Sequence, residues 1–179
     1  MAVAAPPAPS APAVSSAESR MILSGISWAT YERLLADHIE RGPRFAYDRG
    51  LLEIMTISAE HEREGLALAQ VVEIVAEELD IEIDPVGSTT FKREDLEQGV
   101  EPDACFYIQR LEHVRGKPRI DLAADPPPDL MIGVDFMSSS LDRFPIYAGM
   151  GVPEVWRYSK ERVSIAVLAQ GTYVESASS

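Results

Sequence analysis

The sequence predicts a domain of the α/β (α+β) class, on three observations. Apolar residues recur at a helical period in two stretches, and at a strand period in several short ones bounded by turn residues. One segment, DLMIGVDF at 129–136, is almost continuously apolar, as a strand covered on both faces requires. With 179 residues, 46% of them hydrophobic, the chain is long enough for one domain with a sizeable core and too short for two.

Residues 1–20 are rich in Ala, Pro and Ser and are expected to form a disordered tail, leaving residues 21–179 as the single domain. Prolines interrupt that tail and no basic residue precedes Arg20, so no export signal is read there. Ser27 can cap a short helix whose Trp28, Tyr31, Leu34, Leu35 and His38 share one face. PRFAYDRGLLEIMTIS reads as two strands joined at Asp48-Arg49-Gly50, with Glu53 on the second. From Ser58 a helix of about 20 residues is predicted, with Leu66, Leu68, Val71, Val72, Val75 and Leu79 as its buried stripe. Glu60, His61 and Glu62 fall in its first turn, where acids suit the helix dipole.

Short strands are expected in IEIDPV, STTFKRE and EPDACFYI, then a polar, Pro-rich connection, then the apolar strand at 129–136. The following helix can carry Pro145 only if it begins near Asp142. Three strands close the chain, with turns at Ser159-Lys160-Glu161 and at Gly171.

A formal charge of −13 repels a nucleic-acid backbone unless positive charge gathers locally or divalent cations screen the acids. The lone Cys105 excludes a disulfide framework and a thiolate metal site; among apolar neighbours it reads as a buried core thiol, and points to a cytoplasmic setting. No apolar run is long enough to span a bilayer.

Side chains alternate across a strand, so Asp129, Met131, Gly133 and Asp135 share one face of the central strand. The same rule groups Asp103, Cys105 and Tyr107. If the two strands are neighbours, Asp103 approaches positions 133 and 135 and makes a carboxylate pocket suited to a hard divalent cation. The competing explanation is that these acids lie at strand ends and face solvent, or pair with Lys92, Arg93 or Arg143. Trp156 and Tyr158 alternate as strand packing would, His38 and His113 have no partner at ligand spacing, and Lys92-Arg93 is cancelled by Glu94 and Asp95.

Three runs, RFAYDRGLLEIMTISAEHE, GSTTFKREDLEQGVEPDACFYI and PPDLMIGVDFMSSSLDRFPIYAGMGVPEVWRY, resemble in order the Uma-two family of restriction endonucleases, within the PD-(D/E)xK nuclease superfamily. The resemblance covers roughly residues 25–170. It implies a restriction-endonuclease-like core with a mixed sheet flanked by helices, DNA as substrate, and Mg²⁺ or Mn²⁺ at the sheet's edge. Asp103 matches the family's metal-binding aspartate. The glutamate expected on the next core strand falls on Gly133, and the usual lysine position two residues later is Asp135, which could reach the ion from the same face. The basic residue is then Arg143, with Lys92 a second candidate; His61 matches a helix-start histidine, and Glu53 lies on a strand that faces the same site. Hydrolysis would use metal-activated water, and a homodimer through the C-terminal strands is compatible with the pattern. With Gly133 in place of a ligand, weakened hydrolysis or an inactive binding or structural module is the alternative.

Overall fold

The computed structural model describes residues 18–37, 43–135 and 141–179. Most of the expected tail, His38 and Phe136 lie outside the described residues. Strand β1 (Ser19–Ser24) begins two residues inside the span expected to be tail.

Helix α1 (Trp28–Asp37) starts where Ser27 accepts the Thr30 N–H at 3.2 Å. Strands β2 (Arg44–Asp48) and β3 (Leu51–Thr56) meet at Arg49 and Gly50, with φ of 45° and 93°. Two positive φ values in succession match the right-handed twist of the flanking strands, and glycine takes the second without strain. Helix α2 (Ala59–Glu78) has the expected 20 residues and is capped by Ser58, whose hydroxyl accepts the His61 N–H at 3.1 Å.

Four short strands follow: β4 (Asp84–Pro85), β5 (Phe91–Arg93), β6 (Gln98–Val100) and β7 (Ala104–Tyr107). The polar connection carries one helical turn, α3 (Leu111–Val114), before β8 (Leu130–Asp135). Helix α4 (Phe144–Met150) places Pro145 in its first turn, as the sequence requires. Strands β9 (Glu154–Ser159), β10 (Arg162–Ala169) and β11 (Thr172–Ser176) close the chain as predicted.

The strands form two sheets. One is antiparallel, in the order β1-β3-β2-β6-β5; the other, β11-β10-β9-β8-β7-β4, is mixed because β8 and β9 run parallel with α4 as their crossover. The expected mixed sheet is therefore present, with a second sheet beside it. Strand β8 is central, and Leu130, Met131, Ile132 and Val134 are all buried. The largest core lies between the sheets, where Ala46, Phe91 and Val100 meet Cys105, Met131 and Val155 around Ile146, Tyr147 and Met150 of α4. Cys105 is the buried thiol expected of it; burial pushes its pKa up to about 12. A second core under α1 stacks Tyr31 on Tyr47, ring centroids 4.9 Å apart, beside Trp28. Such pairs contribute about 0.5–1.5 kcal/mol beyond area burial.

The stripe expected on α2 holds at Leu68 and Val72 and is overturned at the other four positions. Val72 is buried, but Leu66 is 64% exposed and Leu79 63%, with Val71 and Val75 also open. The face that meets the mixed sheet runs through His61, Gly65, Val72 and Ala76 instead. A histidine and a glycine carry little hydrophobic signal, so apolarity alone points to the wrong side. Gly65 is needed for contact: a Cβ there would lie 3.3 Å from that of Asp103, tighter than packed carbons accept without a shift.

Candidate functional site

The chemistry gathers where α2 begins, β7 begins and β8 ends. Asp103 is opposite Gly133 by register, since Ala104 pairs with Ile132. It precedes the first residue of β7, so strict alternation does not govern its side chain, which lies against Gly65 of α2. Its Oδ2 accepts the Val134 N–H at 2.6 Å. Its Oδ1 takes both His61 Nε2, at 2.8 Å, and Arg44 Nη1. The other ring nitrogen of His61 meets Glu18 at 2.8 Å. Burial holds His61 below its ordinary pKa, with Arg44 and Arg20 acting in the same direction and Glu18 against it.

Asp135 has different partners. Arg157 of the adjacent strand donates to its Oδ2 at 2.7 Å, and Arg20 of β1 stands 2.9 Å from its Oδ1. Arg20 also pairs with Glu18 at 2.8 Å, so β1 links the two acids through a chain of alternating charge. Lone buried carboxylates are costly; arginine forks supply the match.

A third group lies deeper. Arg143, at the cap of α4, donates to Glu53 at 2.8 Å, and Glu53 is fully buried. Burial opposes charge on Arg143, but Tyr147, Glu53 and Asp135 outweigh it and raise the pKa. Tyr147 lies four residues on, on the same helix face; burial raises its phenol pKa, and the Arg143 guanidinium beside it acts to lower it. Glu101 accepts from Thr90 at 2.8 Å; burial raises its pKa, while the Phe45 N–H, Arg44 and Arg143 act to lower it.

Of the residues singled out by sequence, Asp103 joins His61, and Glu53 joins Arg143. Asp103 and Asp135 each face their own cations, so the expected shared carboxylate pocket is not formed; both acids find the ion pairs of the competing explanation, with different arginines. Lys92 pairs with Glu32 of α1 at 2.7 Å, on the far strand of the other sheet. Sequence reasoning missed Glu18, Arg20, Arg44, Glu101, Tyr147 and Arg157. For Arg157 a signal existed: by alternation it shares a face with Val155 rather than with Trp156 and Tyr158, on the strand after the central one.

The fold is α+β, a mixed sheet flanked by helices, with Asp103 just before β7 and Arg143 at the cap of α4. The model of the family described as "Uma2: Putative restriction endonuclease" matches residues 28–178, and the chain belongs to that family. Among solved structures it is similar to "a putative nuclease belonging to DUF820" from Anabaena variabilis ATCC 29413. The two share 14% identity over 84% of this chain and 83% of the other, with a TM-score of 0.52, a likeness of fold. No curated protein matches the chain. No helix among the described residues is long and apolar enough to cross a membrane.

Nucleases of this kind generally use a divalent metal, and the donor set can be tested against one. A hard cation takes six or more oxygen ligands in the usual case, several from carboxylates. Both Asp103 oxygens are engaged by other groups. Glu53 and Asp135 each keep one buried oxygen without a hydrogen-bond partner among the described residues, yet both face arginine. No three Asp, Glu, His or Cys side chains converge on a point among the described residues. The residues as arranged do not fit a metal ion.

Proposed function

We propose that this nuclease-family chain engages the phosphodiester backbone of DNA beside β8 and, in the arrangement described, holds it without efficient hydrolysis. The observation that carries this reading is the exchange of acid for arginine. Four guanidinium groups, from Arg20, Arg44, Arg143 and Arg157, gather around the site of a chain whose charge is −13, while position 133 offers no carboxylate. Each guanidinium is held and oriented by a carboxylate, so phosphate contact would draw on arginine forks already set in place, and a first carboxylate already spent on Arg44 and His61 is a poor metal ligand.

The test is fluorescence anisotropy with a DNA duplex at 50 and 200 mM salt, beside plasmid nicking with Mg²⁺ or Mn²⁺. Salt-weakened binding and no nicking above the buffer control are expected. Nicking by the native chain that disappears in Asp103→Ala would overturn the non-hydrolytic part, and no binding at either salt would overturn the whole. The second reading, Mg²⁺- or Mn²⁺-dependent hydrolysis with Asp103 and Asp135 as ligands, has in its favour the buried Glu53 oxygen that has no hydrogen-bond partner among the described residues. The same assay decides it, and Gly133→Glu gaining activity would mark position 133 as the disabled point. We further propose a cytoplasmic protein that pairs as a homodimer through its C-terminal strands, where Val163, Val167 and Val174 are exposed. Light scattering showing a monomer at working concentration would exclude the dimer.

A further inference from the structure

We infer that the outer face of α2 docks a basic amphipathic helix of another protein. Helix α2 carries two apolar faces. One, through Gly65, Leu68, Val72 and Ala76, packs on β7 and β8 of the mixed sheet. The other is formed by Ala67, Val71, Ile74 and Val75, at i, i+4, i+7 and i+8, and Leu79 extends it one turn further. Residues so spaced share one side of a helix, in a band about 18 Å long at 1.5 Å per residue.

Nothing among the described residues covers this band: Val71, Ile74, Val75 and Leu79 are 47–63% exposed. A surface helix needs one apolar face, and α2 already has it in the sheet contact. Of the twelve exposed large apolar side chains among the described residues, six fall between Leu66 and Ile81. Single exposed apolar residues are ordinary, whereas a contiguous band marks a surface that meets a partner.

Charge selects the partner. Residues 59–82 hold eight acids and one Lys or Arg, Arg63. Glu62 and Glu82 pair with Arg44 and Arg115, whereas Glu73, Glu77 and Glu78, all exposed in or beside the band, hold no cation among the described residues. Two copies of α2 laid together would set these acids against each other, a juxtaposition that interfaces avoid. DNA and anionic lipid are repelled in the same way, and helices that settle on membranes carry Lys and Arg on their polar face. A helix with Leu, Ile or Val at the same spacing, and Lys or Arg on its flanks, buries the band and pairs the acids. Its axis would lie about 8–10 Å from that of α2.

The inference stands whether or not the chain engages DNA, since the band is turned away from the side of α2 where Gly65 meets Asp103. Fluorescence anisotropy with the full chain uses a labelled helical peptide of Leu and Lys at this spacing, and a second peptide with Glu in place of Lys. The Lys peptide is expected to bind the native chain and the Glu peptide to leave it alone. Val71→Ser with Ile74→Ser keeps every acid and should weaken binding at least tenfold; Glu73→Gln with Glu77→Gln should weaken it several-fold. Leu51→Ser, exposed on β3, should bind as the native chain does. No binding of the Lys peptide, or equally tight binding of the Glu peptide, overturns the inference. Equal binding by Val71→Ser with Ile74→Ser also overturns it, since opposite charges alone would then suffice. Light scattering in which that double variant turns a native dimer into a monomer would give the face to a second copy. Flotation with phosphatidylcholine vesicles that the same variant loses would give it to a lipid surface, and either result overturns the proposal. Should the double variant lose its native circular dichroism, Leu79→Ser decides alone.

Discussion

Removing the Asp103 carboxylate separates two uses of an acid by the sign of the stability change. A carboxylate held for a metal is repelled by neighbouring acids, so its loss stabilises the metal-free fold or leaves it unchanged. Asp103 instead serves Arg44, His61 and the Val134 N–H, with its side chain 2% exposed. Breaking a buried charge pair from one side costs about 3–5 kcal/mol. Arg44 retains Glu62 at 3.2 Å, a half-exposed partner, which places Asp103→Ala near the lower end, at about 3 kcal/mol. For a chain of this size that is a fall in Tm of about 6–12 °C. Asp103→Asn keeps an acceptor for the Val134 N–H and should lose about half as much, ~1–2 kcal/mol. Urea denaturation at pH 7 without divalent ions measures both. Asp103→Ala equal to or more stable than the native chain would refute the assignment of this acid to its cations.

Further predictions concern other positions. Glu101→Gln should change the pH dependence of stability: a raised native pKa makes the native state bind its proton more tightly than the unfolded chain does. The Glu101 contribution is therefore present below the unfolded value and lost as pH rises through the native one, so the variant's Tm should gain on the native protein between pH 4 and pH 8. Gly99→Ala would drive a Cβ into the Tyr31 hydroxyl and ring and should destabilise by about 1–3 kcal/mol in urea, through displacement of the ring stack. Lys92→Ala removes a partly exposed pair with Glu32 and should change stability by no more than about 1 kcal/mol, leaving DNA binding untouched. Leu66→Lys, on the open side of α2, should stay within about 0.5 kcal/mol of the native chain in the same denaturation; a large loss would restore the buried stripe expected from periodicity.

Features written in neighbouring residues were legible in the sequence. The Arg49-Gly50 turn, the Ser58 cap, the Pro145 constraint and the apolar run of β8 are local, and each yields its element at the expected place. Asp103, Glu53, His61 and Arg143 were also singled out, and the structure places them in two pairs. What could not be read is which cation meets which acid, because that depends on register between strands distant in sequence. Arg44 reaches Asp103 across 59 residues and Arg143 reaches Glu53 across 90. The shared-face argument for Asp103 failed for a smaller reason: alternation holds within a strand, and this residue stands one position before its strand begins.

The alternating charges that β1 ties together also bear on how the chain folds. Glu18 meets His61 across 43 residues, His61 meets Asp103 across 42, and Arg20 meets Asp135 from farther still. Such contacts repay their loop-closure entropy only after both sheets are in place. Substitutions at Glu18 or Arg20 should therefore speed unfolding and leave the refolding rate nearly unchanged. Strand β1 then acts as a late latch, setting how long the folded molecule persists more than how quickly it forms.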